Sequence, residues 1–95
     1  MSDVDLKTVQ QVLFDLDKMY DQMIAQQRAK VLRLAREAVA NIGPEDVLNP
    51  HDFPELKAHP TFEFEDGLLS GLVAAHIAVR AEMARYRPEP ENPGR

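Results

Sequence analysis

The chain contains no cysteine, which excludes disulfide frameworks, thiolate metal sites and cysteine nucleophiles and fits a reducing compartment. Long apolar runs are also missing. The longest uncharged stretch, GLLSGLVAAHIAV at 67–79, has 13 residues, short of the ~20 needed to cross a bilayer, so it reads as a buried helix and no membrane partner is expected. Proline and glycine are absent from Asp3 to Ile42, and nothing there interrupts a helix. No stretch shows a strand signal, and no internal repeat is visible. Positive charge is in deficit: the net charge of -5 opposes sequence-independent binding to nucleic acid or to an anionic lipid surface. The opening residues MSDVDLK are acidic and lead into no compact apolar segment, unlike a secretory signal, so a cytoplasmic location is expected.

What is present is a long apolar stripe. Leu6, Val9, Leu13, Leu16, Tyr20, Ile24, Val31, Leu34, Ala38 and Ile42 recur at steps of three and four, and Val12, Met19 and Met23 widen the stripe along one side. That spacing marks one face of a helix. The expected helix runs over about 3–42, capped by Ser2 or Asp3 and stopped by NIGP, where Gly43 suits a left-handed position and Pro44 cannot continue the coil. Forty residues at 1.5 Å each give a rod of ~60 Å. No second helix in this chain is long enough to cover it.

A second helix is expected over about 62–86, its large side chains (Leu68, Leu69, Leu72, Val73, His76, Val79, Met83, Tyr86) on one face and Gly67, Ser70, Gly71, Ala74, Ala78, Ala81 on the other. The connector over 43–61 reads as packed short turns. PEDVLN and DFPELKAH both have helix-start character, and Asp52 and Glu55 stand at capping-box spacing. The domain so defined covers 1–87, and a proline-rich tail covers 88–95.

The connector and its flanks raise one chemical question. His51, Asp52, His59 and Glu63 are ligand types for a divalent cation, but their spacing matches no compact metal signature. Carboxylates also cap turns and favour helix starts, so no metal and no cofactor are assigned, and these four stand only as candidates. Phe53, Leu56, Phe62 and Phe64 are too apolar for a solvated linker, so the segment is expected to fold back and plug the end of the helical core; Phe53 and Phe62, with Leu69, Val73 and His76, are the expected core. His76 has no serine, cysteine or acid at helical spacing to make a triad. The basic segment RAKVLRLAR, at 28–36, spreads its charges round the polar side of the first helix, a solvated face rather than a nucleic-acid stripe.

These readings converge on an all-α fold: long helix, packed irregular connector and shorter helix forming a hairpin, which dimerises into a four-helix bundle. Leu13, Leu16, Tyr20, Ile24, Gln27 and Val31 of the long helix and Gly67, Gly71 and Ala74 of the short one are the expected interface. Gln27, the polar member of the stripe, is expected to find its partner on the second chain. Charge is segregated, -3 over residues 1–21 and +3 over 22–42, an arrangement that favours two long helices running antiparallel. The function expected is that of a small non-enzymatic interaction or regulatory protein, a homo-oligomer that engages another, unspecified protein. The alternative is a metal- or ligand-binding helical bundle that uses the His/Asp/Glu-rich connector.

Overall fold

The computed structural model describes residues 6–86; the caps assigned to Ser2 or Asp3 and the proline-rich tail lie outside the described residues. All regular structure among the described residues is helical. Helix α1 spans Leu6–Ala38, a four-residue helix α2 spans Pro54–Lys57, and α3 spans Pro60–Met83, with 3-10 turns at Asp46–Leu48, Pro50–Asp52 and Ala84–Tyr86. The chain is therefore all-α.

The boundaries differ from the expected ones for local reasons. The helical period runs on from Ala38 to Ile42, yet α1 stops at Ala38. By leaving the helix the chain folds Ile42 back into the core, where it is 2% exposed; a continued helix would have carried it away along the axis. The turn is tied by the Arg36 Nε–H, which donates to the Ile42 carbonyl at 3.2 Å. Gly43 does not adopt the left-handed conformation, since no described glycine has a positive φ. Its N–H instead donates to Asp46 Oδ2 at 3.0 Å. The Asp52–Glu55 capping box does not form either: Phe53 caps α2, with no side-chain hydrogen bond.

Prolines set the starts. Pro50, Pro54 and Pro60 each stand in the first turn of their element, where the missing N–H costs no hydrogen bond and the fixed φ already suits a helix. Helix α3 accordingly begins at Pro60, and His59 caps it, its Nδ1 accepting from the Phe62 N–H at 3.1 Å.

One compact core holds the connector to both long helices. Val31, Leu34 and Ala35 of α1, Ile42, Leu56 of α2 and Phe62 of α3 form a single buried cluster, ringed by Leu32, Ala38, Val39, Val47, Phe53 and Leu69. Phe62, Leu56 and Val31 are the largest fully buried side chains, each stabilising the fold by about 1.5–3 kcal/mol through removal of apolar surface from water. This cluster lies at the connector end. Beyond it α1 and α3 run side by side in opposite directions, as the pairs Gln27–Glu65 and Asp17–His76 require. The result is a flat body of 55 × 33 × 17 Å.

Candidate functional site

Two seams run along α1. The inner one, Leu13, Asp17, Tyr20, Ile24, Gln27 and Val31, faces α3; the outer one, Val9, Val12, Leu16, Met19 and Met23, lies about a quarter-turn away at the same three-four spacing. The inner seam is where the residues expected at a partner interface have been taken up by the chain itself. Val31 is 1% exposed and Ile24 9%, Leu13 is half-buried, and the Tyr20 ring stacks on His76 with centroids 5.1 Å apart. Gln27 needs no second chain. Its Nε2 donates to Glu65 Oε2 at 2.6 Å and to the Glu65 carbonyl at 2.9 Å. At Ile24, Gln27 and Val31, α3 of the same chain thus supplies the cover expected of a second chain.

Two polar clusters stitch α1 to α3. In the first, Glu65, only 7% exposed, receives Gln27 and the Lys30 ammonium, whose Nζ stands 2.8 Å from Oε1. Lys30, followed by Gln27, holds the Glu65 carboxyl below the usual range. In the second, buried His76 places Nε2 2.6 Å from Asp17 Oδ1, and the Arg80 Nε–H donates to the same oxygen at 2.7 Å. A second Arg80 nitrogen donates to Asp21 Oδ1 at 3.4 Å. Hydrogen bonding from Arg80 first, then from His76, lowers the Asp17 carboxyl from 3.8 to about 2. No buried side-chain polar atom among the described residues lacks a partner.

Sequence reasoning missed Asp17 as the acid of His76 because it looked for one on the same helix. The signal was present all the same: Asp17 stands four residues after Leu13 and three before Tyr20, an apolar position of the inner seam.

The connector candidates stay separate. His51 and Asp52 are exposed neighbours with 3.5 Å between Nε2 and Oδ1, while His59 spends Nδ1 on the α3 cap and holds Nε2 3.7 Å from Glu37. Glu63 lies exposed in the first turn of α3. Among the described residues no three or more His, Asp or Glu side chains come together to hold a cation. Of the expected core, Phe62 and His76 are buried, Phe53 and Leu69 are half-buried at its edge and Val73 is half-buried apart from it; Phe64, expected in the plug, is 65% exposed, because Phe62 takes the core-facing position at the start of α3.

What remains uncovered is apolar. On the outer seam Val12 is 52% exposed, Leu16 38%, Met19 47% and Met23 41%; Phe64 and Leu68 of α3 are also exposed. Gly67, Gly71 and Ala74 are exposed as well. On the opposite face a groove of about 420 Å³ runs between the connector and α3, lined by Arg28, Leu48, Asp66, Val73, Ala74 and Ile77 among others. By length and composition the stretch Pro60–Tyr86 is apolar enough to cross a membrane, with mean hydropathy 1.2 over its best 18 residues. Its charged groups Glu65 and Arg80 are, however, paired with α1. No family model, curated protein or solved structure matches this chain.

Proposed function

We propose that the protein is a small non-enzymatic interaction module of the cytoplasm: a helical hairpin that pairs with a second copy into a four-helix bundle and, so assembled, binds or regulates another protein. The observation that carries this reading is the exposed outer seam Val12, Leu16, Met19 and Met23. Four large apolar side chains at heptad-like spacing on one edge of a helix are the pattern of a helix that packs against another, and a contiguous exposed patch of this kind marks an interaction site. The polar clusters support a structural rather than a chemical role for the charged residues. Asp17, His76, Arg80, Glu65 and Lys30 are engaged with one another across α1 and α3, as groups that fix helix register are.

The metal-binding alternative draws less support, because His59 is already committed to the α3 cap. Sedimentation equilibrium tests the leading reading. The expected result is a dimer at micromolar concentration that dissociates in the Leu16→Asp, Met19→Asp double variant. A folded wild-type monomer at that concentration would remove it.

A further inference from the structure

The outer seam is a ridge, and its neighbour on the same face is a trough. Lys30, two turns beyond Met23 on the same edge of α1, reaches Glu65 from that side. The opposite edge, at Arg28, shares its groove with Asp66, Val73 and Ile77 of α3. By the helical period, the exposed α3 residues left on the Lys30 side are Phe64, Leu68, Gly71, Ala75, Ala78 and Glu82, with Leu72 and Val79 half-buried beside them. The pairs Gln27–Glu65 and Asp17–His76 then bring Met23 level with Gly71, Met19 with Ala75 and Leu16 with Ala78. In the other half of the face the relief reverses, with bulky Phe64 and Leu68 level with Lys30 and Gln26.

We infer that a second copy seats the ridge Leu16, Met19 and Met23 on the partner's α3 at Gly71, Ala75 and Ala78, with the twofold axis parallel to the helices. This inference rests on the homodimer proposed above and fixes which helix meets which. Rotation about an axis lying in the face and parallel to the helices carries each ridge onto the other copy's trough at the same level, and each Phe64 onto Lys30. The two α1 helices then run parallel on a diagonal and each meets the other copy's antiparallel α3, in place of the antiparallel α1 pair expected from charge segregation. An axis across the helices instead lays ridge on ridge, or, when the copies slide apart, lays the ridge on Gln26 and Lys30. Only the first operation interdigitates both halves.

Two further observations point to a second copy as the occupant. A Cβ added at Gly67 or Gly71 would meet nothing within 4 Å in the chain itself, so no contact within the chain requires glycine there, although glycine weakens a helix interior. A close approach from outside does account for Gly71, which lies on the trough. The described helices also leave Val12, Leu16, Met19, Met23, Phe64 and Leu68 exposed on this one face, a contiguous apolar patch of the kind a second chain covers.

The chain lacks cysteine, so introduced thiols report cleanly. Leu16→Cys and Ala78→Cys, each made alone, are mixed, refolded together and oxidised while sedimentation reads the mass. The expected product is a covalent heterodimer linking positions 16 and 78, with neither variant linking to itself. A Leu16→Cys chain that links to itself, or a dimer with no mixed link, overturns the inference while leaving the dimer intact. A monomer in every mixture removes the dimer as well. Gly71→Leu supplies an independent arm: with helical content retained, dimerisation should weaken roughly tenfold or more, the effect of overfilling a packed contact, and an unchanged dimer constant counts against the trough.

Discussion

Asp17 occupies a place in α1 that the three-four spacing reserves for an apolar side chain, and it is tolerated there because α3 brings two donors to it. With Arg80 and then His76 bound, the carboxyl is held at about 2 instead of 3.8. The folded-state value lies below the unfolded one, so the protonated form is disfavoured on folding. The contribution is complete above the unfolded value and is lost as pH falls through the folded one. Stability should therefore decline between about pH 4 and pH 2, and Asp17→Asn should flatten that decline; thermal melts across this range measure it. Asp66 acts in the opposite sense. Burial, followed by the neighbouring Glu63 charge, raises its carboxyl, so its ionised form opposes folding at neutral pH and Asp66→Asn should melt at a slightly higher temperature there. Gln27 illustrates how one contact reverses a sign. Read as an amide that fixes register by pairing with a second chain, it invites Gln27→Leu as a stabilising change. Bound to Glu65 twice, it leads to the reverse expectation, a lower melting temperature, because the variant leaves the nearly buried carboxylate with one donor fewer.

At the scale of elements, the two long helices and the packed connector were legible in the sequence, because periodicity and proline placement are local signals. Pro54 opens α2 within the turn the sequence suggests, whereas α3 opens at Pro60, two residues before the expected start, and Phe62 reaches the core. Three things were not legible. The end of α1 was hidden because Ile42 keeps the helical spacing while entering the core from a turn. The cap of α3 was hidden because a histidine ring nitrogen, not the customary hydroxyl or carboxylate, accepts the Phe62 N–H. The division of the stripe into an inner and an outer seam depends on which edge α3 covers, a tertiary fact that no single-helix pattern contains. The same distinction ranks the connector phenylalanines. Phe62 is 1% exposed and sits in the central cluster, whereas Phe53 is only half-buried beside it. Phe62→Ala should cost about 3–5 kcal/mol and Phe53→Ala clearly less, as read from denaturant midpoints; equal losses would mean that the connector carries the core more evenly than its burial indicates.

For the molecule as a whole, shape is the informative quantity. The radius of gyration is 18.9 Å, against about 12–13 Å for a compact domain of this length. A two-helix layer 17 Å thick has a core only where the connector thickens it, at Val31, Leu34, Ala35, Ile42, Leu56 and Phe62. Toward the other end, α1 and α3 are joined mainly through the Asp17, His76 and Arg80 cluster, with Met83 as the last buried apolar side chain. The Arg80 arm of that cluster is exposed, exposed ion pairs contribute little to stability, and apolar burial there is sparse, so that end should depend on a partner far more than the connector end does. If a second copy supplies the missing layer, folding and assembly are coupled by mass action and the melting temperature must rise with protein concentration. Calorimetry over a hundredfold dilution series should show that rise for the wild type. In Leu16→Asp the rise should disappear and the melting temperature should fall to the dilute wild-type limit, because the variant removes the pairing and leaves the connector core untouched. Hydrogen exchange on the same variant should locate the loss: amides between about Val12 and Met23 lose protection, while those around Val31 and Leu34 keep it. A wild-type melting temperature independent of concentration, with protection equal at both ends of α1, would show that the single layer is stable alone and that its apolar face serves some other partner.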